Sequence, residues 1–267
     1  MVRRPLGNHH DGPDTLLVTP ETTHTEPVTA ETARLASLVA STRYVLWDMD
    51  GPICKLFAGY PAHQIAGELV EKIDQLGMGG LLTEQERSGN DPQDALRAVH
   101  ERRRGSDLVL ELEEWLTRRE LTAVATALPT PYVDPLIRTW WSYGVRFAIT
   151  TNNAAAAATA YVESRRLTDC FPHVYGRTPN LDLMKPNPHC LEQAVKAMGA
   201  APSATLMIGD TATDLQAAQR AGVAFLGYAI SEHKERTLKQ AGADVVVSSM
   251  EQVLKVLGTE GGGTVAR

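Results

Sequence analysis

The sequence predicts an α/β, Rossmann-like three-layer core with a mainly parallel sheet, plus an α-helical cap inserted after the first strand. Three observations predict it. From Val145 onward, short apolar segments alternate with helical ones of roughly 10–15 residues, the pattern of βαβ units. Between Ala62 and Leu128 every periodic stretch has helical spacing. Polar residues gather just after the strands, where open α/β sheets carry their sites.

Residues 1–28 are rich in Thr, Pro, His, Asp and Glu without an apolar period, which reads as a disordered extension whose His9, His10 and His24 are tail residues. A helix follows, opened by Thr29-Ala-Glu-Thr32 and carrying Leu35, Leu38 and Val39. Tyr44–Trp47 suits a strand buried on both faces. Gly51-Pro52 breaks it, and Ile53–Gly59 reads as a loop. The block 55–128 is expected to form the cap. One helix carries Ile65, Leu69 and Ile73 and ends at Gly77. A second starts at Asp91-Pro92, a third spans Leu108–Leu116, and a fourth runs from Leu121 to Leu128.

The core, 29–54 and 129–257, resumes with a helix containing Leu136, Ile137, Trp140 and Trp141. The expected strands are Val145–Thr150, Val174-Tyr175, Thr205–Ile208, Val223–Leu226 and Asp244–Val247. The expected helices are Asn153–Arg166, Pro188–Met198, Thr213–Ala221, Glu232–Gln240 and Met250–Leu257. Right-handed crossovers between such strands place helices on both faces of a parallel sheet. Residues 258–267 read as a flexible Gly-rich tail.

Composition narrows the function classes. A hydrophobic share of 43% with 22% charged residues is that of a globular protein that folds around a core. A net charge of −6 gives no support for nucleic acid or an anionic membrane as partner. No apolar run approaches the roughly 20 residues of a membrane helix, and Leu16-Leu17-Val18 is too short for a signal-peptide core. Cys54, Cys170 and Cys190 are widely spaced without a CxxC. They read as reduced, buried thiols in a cytoplasmic protein.

Four strand ends carry the chemistry. Extended backbone puts Asp48 and Asp50 on one side after the first strand. Thr150-Thr151-Asn152-Asn153 offers a hydroxyl and turn amides suited to phosphate, and equally to an N-cap. Lys185-Pro186 precedes a Pro-opened helix, a context shared with surface turns. Gly209-Asp210 and Asp214 end the strand at 205–208, where acids also suit a helix start electrostatically. Singly, each has a structural reading.

Taken in order, Asp48-Met49-Asp50-Gly51, Thr151-Asn152, Lys185-Pro186 and Gly209-Asp210 with Asp214 closely resemble the signature of the haloacid dehalogenase-like hydrolase superfamily. The resemblance covers Tyr44–Leu257, and the helical insert lies where that superfamily places a cap. It implies a phosphoglycolate phosphatase-like enzyme that hydrolyses a small phosphorylated metabolite and needs Mg²⁺. The implied roles are Asp48 as nucleophile, Asp50 as general acid and base, Thr151 and Asn152 at the phosphoryl group, and Lys185 as charge balance. The metal would sit on Asp48, the Asp50 carbonyl and Asp210, with Asp214 acting on its water or on Lys185. A phosphomutase of the β-phosphoglucomutase type and a non-catalytic binding protein on the same fold are the alternatives; the oligomeric state is open. Two departures stand out: Pro52 replaces the usual Thr, and Cys54 stands where many members carry another acid. Lys55, Arg87, Arg97 and Arg102-Arg103-Arg104 are the cap's basic candidates for substrate contact.

Overall fold

A computed structural model of the chain describes residues 30–260. The expected extension over 1–28 and the tail beyond 260 lie outside the described residues. Helix α1 (Ala30–Ser41) leads into β1 (Tyr44–Trp47). The chain leaves the sheet through β2 (Cys54–Lys55). It traverses α2 (Ala62–Gln75), α3 (Glu84–Arg87), α4 (Pro92–Arg102) and α5 (Asp107–Val124), and returns through β3 (Leu128–Pro129). Alternation then resumes with α6 (Val133–Ser142), β4 (Arg146–Ala154), α7 (Ala155–Ser164), β5 (His173–Arg177) and α8 (His189–Met198). It ends with β6 (Thr205–Gly209), α9 (Ala212–Ala221), β7 (Ala224–Tyr228), α10 (Glu232–Gln240), β8 (Val246–Val247) and α11 (Met250–Glu260).

Six strands form one parallel sheet in the order β5-β4-β1-β6-β7-β8. Strand β1 is central because its four residues, Tyr44 to Trp47, are apolar enough to be covered on both faces. Val45, Leu46 and Trp47 are fully buried. Alternation sends Val45 and Trp47, with Phe147, Ile149, Leu206 and Ile208, into the layer containing α1, α6 and α11. Leu46, Ala148 and Met207 point the other way, against α8 and α9. The chain steps from β4 to β5 on one side of β1 and from β6 to β8 on the other. A crevice therefore opens beyond the carboxyl ends of β1, β4 and β6, the usual position of sites in such sheets.

The helical insert has an apolar cluster of its own. Ile65, Leu69 and Ile73 of α2 pack with Leu96 and Val99 of α4 and with Leu112 and Leu116 of α5. Leu181 and Met184, from the core loop before Lys185, are wedged into that cluster. Among the described residues no helix is long and apolar enough to cross a membrane. Cys54, Cys170 and Cys190 are all buried and free.

Several expected boundaries move. Cys54–Lys55, expected as loop, pairs antiparallel with Leu128–Pro129, expected as a helix end; a two-residue ladder is too short to show a period. The third and fourth insert helices are one, α5, because no Gly or Pro interrupts residues 107–124. Helix α7 begins at Ala155 and not Asn153, since the polar groups of Asn153 and the Ala154 amide are drawn to Thr151 and Glu120. Helix α11 continues past Leu257 to Glu260.

Phe147 is the hinge of the larger core layer, packing edge-on against Trp47 and Trp140 and tilted against Phe171. Phe147→Ala is expected to lower the unfolding free energy by about 3–5 kcal/mol in urea titrations. A smaller loss for Phe147→Leu would follow from its retained volume.

Candidate active site

After Trp47 the backbone turns sharply. The Ile53 and Cys54 amides both donate to the Met49 carbonyl, and the Gly51 amide donates to Cys54 O. Gly51 sits at φ 108°, and a Cβ there would lie 2.4 Å from an Asp210 carboxylate oxygen. Only glycine lets the Asp48 turn and the end of β6 approach so closely. Pro52 is buried in this turn and lacks only a donor that the turn's closing bonds do not use. Thr130, just past β3, locks the turn by donating its hydroxyl to Gly51 O at 2.6 Å. The turn fixes Asp50 through the Leu56 amide, which donates to Oδ1 at 2.8 Å.

Lys185 lies on the loop between β5 and α8 and is almost wholly buried. Its ammonium donates to Asp48 Oδ1 at 2.7 Å, to Thr150 O at 2.9 Å, and meets Asp214 Oδ1 at 2.5 Å. Asn152 clasps the same loop, accepting from the Lys185 amide at 2.8 Å and donating to its carbonyl at 3.1 Å. The Thr151 hydroxyl is held by Asn153, donating to its side-chain oxygen and accepting from its amide. Asp214 forms a capping box with Thr211 at the start of α9, so its second oxygen accepts from Thr211 and from the Asp210 amide.

All seven residues singled out in the sequence, Asp48, Asp50, Thr151, Asn152, Lys185, Asp210 and Asp214, line one cavity of about 370 Å³ between the sheet edge and the insert. Lys234, not singled out beforehand, is directly paired with Asp210. A lysine in the first turn of α10 is on the wrong end of the helix dipole, which was the available signal that an acid faces it.

The cavity is electrostatically strained. Burial pushes Asp48 up to about 7, opposed by Lys185 and reinforced by Asp214 and Asp210. Asp50 rises to about 6 through burial, against the Leu56 hydrogen bond and with the Asp48 charge adding to it. Asp210 is also raised to about 6, by burial against the pull of Lys234. Burial disfavours the Lys185 ammonium, yet Asp214 and Asp48 hold it above its ordinary range. Six carboxylates line the space against Lys185, Lys234 and Arg97. Oxygens of Asp48, Asp210 and Asp214 lie within 4.8 Å of one another. Hard donors so close together, with uncompensated negative charge, suit a divalent cation such as Mg²⁺.

A second buried network was not legible beforehand. Glu120 of α5 is fully buried and receives both terminal nitrogens of Arg177, at 2.7 and 3.1 Å. It also accepts from the Ala154 amide and the Asn153 side chain. Arg177 further meets Glu113 and the Asn152 carbonyl. The insert is thereby fastened to the end of β4, which carries Thr151 and Asn152. The only hint in the sequence was an acid at a position flanked by the apolar residues of an amphipathic helix.

Of the basic candidates in the insert, Arg97 lines the cavity. Arg87 pairs with Asp74, Arg102 with Glu86 and Arg104 with Asp182. Cys54 is packed in β2, its thiol pushed well up by burial and by Asp50 and Asp48.

A parallel sheet with paired acids at the end of its central strand, a buried lysine joining the first of them to Asp214, and a helical insert beside the cavity mark a class of α/β hydrolase. Residues 42–222 match the family model of haloacid dehalogenase-like hydrolases, and the chain belongs to that family. It is 31% identical over 137 residues to the pyrophosphatase PpaX of Halalkalibacterium halodurans, covering 50% of this chain and 62% of that protein. It is 26% identical over 128 residues to the phosphoglycolate phosphatase of Escherichia coli K12, covering 48% and 50%. The chain thus spans less than two thirds of the length of either relative. The crystal structure of a predicted phosphatase from Clostridium acetobutylicum shares the fold, with a TM-score of 0.61 at 17% identity over 81% of this chain and 99% of that one.

Glu120→Ala leaves the Arg177 guanidinium buried without its main partner, and unfolding free energy is expected to fall by about 3–5 kcal/mol. Replacing both residues together with Met should recover much of that loss in the same chemical denaturation assay.

Proposed function

We propose that this chain is a Mg²⁺-dependent, cytoplasmic phosphatase that hydrolyses a small phosphomonoester through an aspartyl-phosphate on Asp48, with residues 55–128 serving as its cap. The observation that carries the reading is the placement of Asp48 and Asp50 at the end of β1, with Lys185 fixing one oxygen of Asp48. The buried free thiols favour a reducing compartment. The family membership and the named phosphatases among its relatives support the reaction class.

In the first half-reaction an Asp48 carboxylate oxygen attacks phosphorus, and the bond from phosphorus to the leaving oxygen breaks. Asp50 hands its proton to that oxygen, so the product leaves as a neutral alcohol. A carboxyl raised to about 6 by burial retains a proton near neutrality more readily than an ordinary Asp. In the second half Asp50 takes a proton from water, the water oxygen attacks phosphorus, and the bond to Asp48 breaks to release phosphate. Thr151 and Asn152 orient the phosphoryl oxygens, and Lys185 keeps the Asp48 and Asp214 charges together throughout.

Mg²⁺ would be held by Asp48, Asp210 and the Asp50 carbonyl, with Asp214 and Lys185 outside it. It would keep Asp48 ionised and neutralise charge on the phosphoryl oxygens. Lys234 is paired with Asp210, one of those residues.

Phosphate release should be seen with Mg²⁺, vanish on chelation, and return when Mg²⁺ is restored. In the same assay Asp48→Asn is expected to fall to the uncatalysed background, and Asp50→Asn to slow about 10²–10⁴-fold. Undiminished release by Asp48→Asn would falsify the proposed nucleophile.

A further inference from the structure

Strand β4 departs from its ladder where the site begins. Its pairing with β5 runs from Ala148 to Thr150, shifts register, and resumes at Ala154 opposite Arg177. Thr151, Asn152 and Asn153 lie within that irregularity, and all three line the cavity. Gly176 of β5 makes room for it, since a Cβ there would lie 2.5 Å from Asn153 O. Side chains hold this stretch where the ladder does not. Asn152 O accepts from Arg177 Nη1 at 3.3 Å, and the Asn152 side chain clasps the Lys185 loop.

Glu120 holds the other end. One of its oxygens accepts from the Asn153 side chain at 3.1 Å and the other from the Ala154 amide at 2.8 Å. A carboxylate only accepts, so Asn153 turns its NH₂ to Glu120 and its oxygen to Thr151. The Thr151 hydroxyl accepts from the Asn153 amide at 3.1 Å and donates to Asn153 Oδ1 at 3.2 Å. A hydroxyl has one proton and two lone pairs. Its oxygen can therefore stay fixed by the amide while its proton turns from Oδ1 to a phosphoryl oxygen.

Glu120 is itself held firmly. It is fully buried, and Arg177 donates to both of its oxygens. Arg177 is gripped in turn by Glu113 and Thr117 of the same helix, α5. Leu112 and Leu116 of α5 belong to the insert's apolar cluster, whereas Ala123, one turn past Glu120, is buried in the core's. Glu120 thus stands at the seam of the two clusters.

We infer that Glu120, a carboxylate of the insert, is a positioning residue for phosphoryl binding: it fixes the irregular stretch at Asn153 and Ala154, and through the Asn153 amide it fixes the Thr151 hydroxyl. The inference rests on the phosphatase reading above. It makes the insert a working part of the phosphoryl site, because one end of the chain of bonds that aims Thr151 is anchored in α5.

The test separates positioning from plain stability. Glu120→Met combined with Arg177→Met removes both bonds from Glu120 to the stretch without leaving a buried charge unpaired. With p-nitrophenyl phosphate at saturating Mg²⁺, kcat/KM of this double variant should fall about tenfold or more, even where its urea midpoint matches the unmodified protein. The same replacement made in Thr151→Val should change kcat/KM less than about threefold, because the hydroxyl it positions is already gone. Asn153→Ala, which leaves the Glu120–Arg177 pair in place, keeps the test readable if the double variant does not fold. It should lose activity several-fold with Thr151 present and little in Thr151→Val. Calorimetry of orthovanadate binding with Mg²⁺ needs no turnover, and the dissociation constants should follow the same pattern. Equal losses in the Thr151 and Thr151→Val backgrounds, or full activity in a folded double variant, overturn the inference and leave the phosphatase reading standing. Neither phosphate release nor orthovanadate binding by the unmodified protein overturns both.

Discussion

The buried ammonium of Lys185 is the interaction on which the site depends. Asp48 and Asp214 reach it from the ends of β1 and from α9, and Thr150 O reaches it from β4. Bringing these carboxylates out of water beside Asp210 is costly unless a positive charge joins them in the same low-dielectric space. One lysine therefore ties three neighbouring segments of the sheet edge together. Its own loop is fastened in turn by the side chain of Asn152 and by Leu181 and Met184, buried in the insert's apolar cluster. The geometry of the site and the packing of the insert meet at the loop that carries this residue.

The core was legible because its signals are local. Tyr44–Trp47 is apolar throughout and suits a doubly covered strand, and the later strands and helices repeat on a length scale that sequence patterning reports well. Boundaries failed where distant residues decide the backbone. Strand β4 continues to Ala154 because Glu120, on another element, takes the amide that would have begun the helix. The β2–β3 ladder depends on partners 73 and 75 positions apart and has no period to detect.

The site was legible to a similar depth. Its seven proposed residues stand after strands in a recognisable order, and the fold brings them to one cavity. Lys234 and the Glu120–Arg177 pair were not visible in that way, since neither belongs to a strand-end motif and their meaning lies in who they meet. The Pro52 departure has a plain physical account, because the turn closes through Ile53 and Cys54 and needs no donor at residue 52. Arg97 was one of several basic candidates, and only the packing of α4 against the Lys185 loop distinguishes it from the paired surface arginines.

The central claim is that Asp48, and no other carboxylate in the cavity, accepts the phosphoryl group. Acid quenching of the enzyme during turnover, followed by mass spectrometry of its peptides, tests that most directly. The account predicts a phosphoryl adduct on Asp48 that forms with substrate, is absent without it, and disappears as substrate is exhausted. An adduct on Asp50, Asp210 or Asp214 with Asp48 unmodified would contradict it.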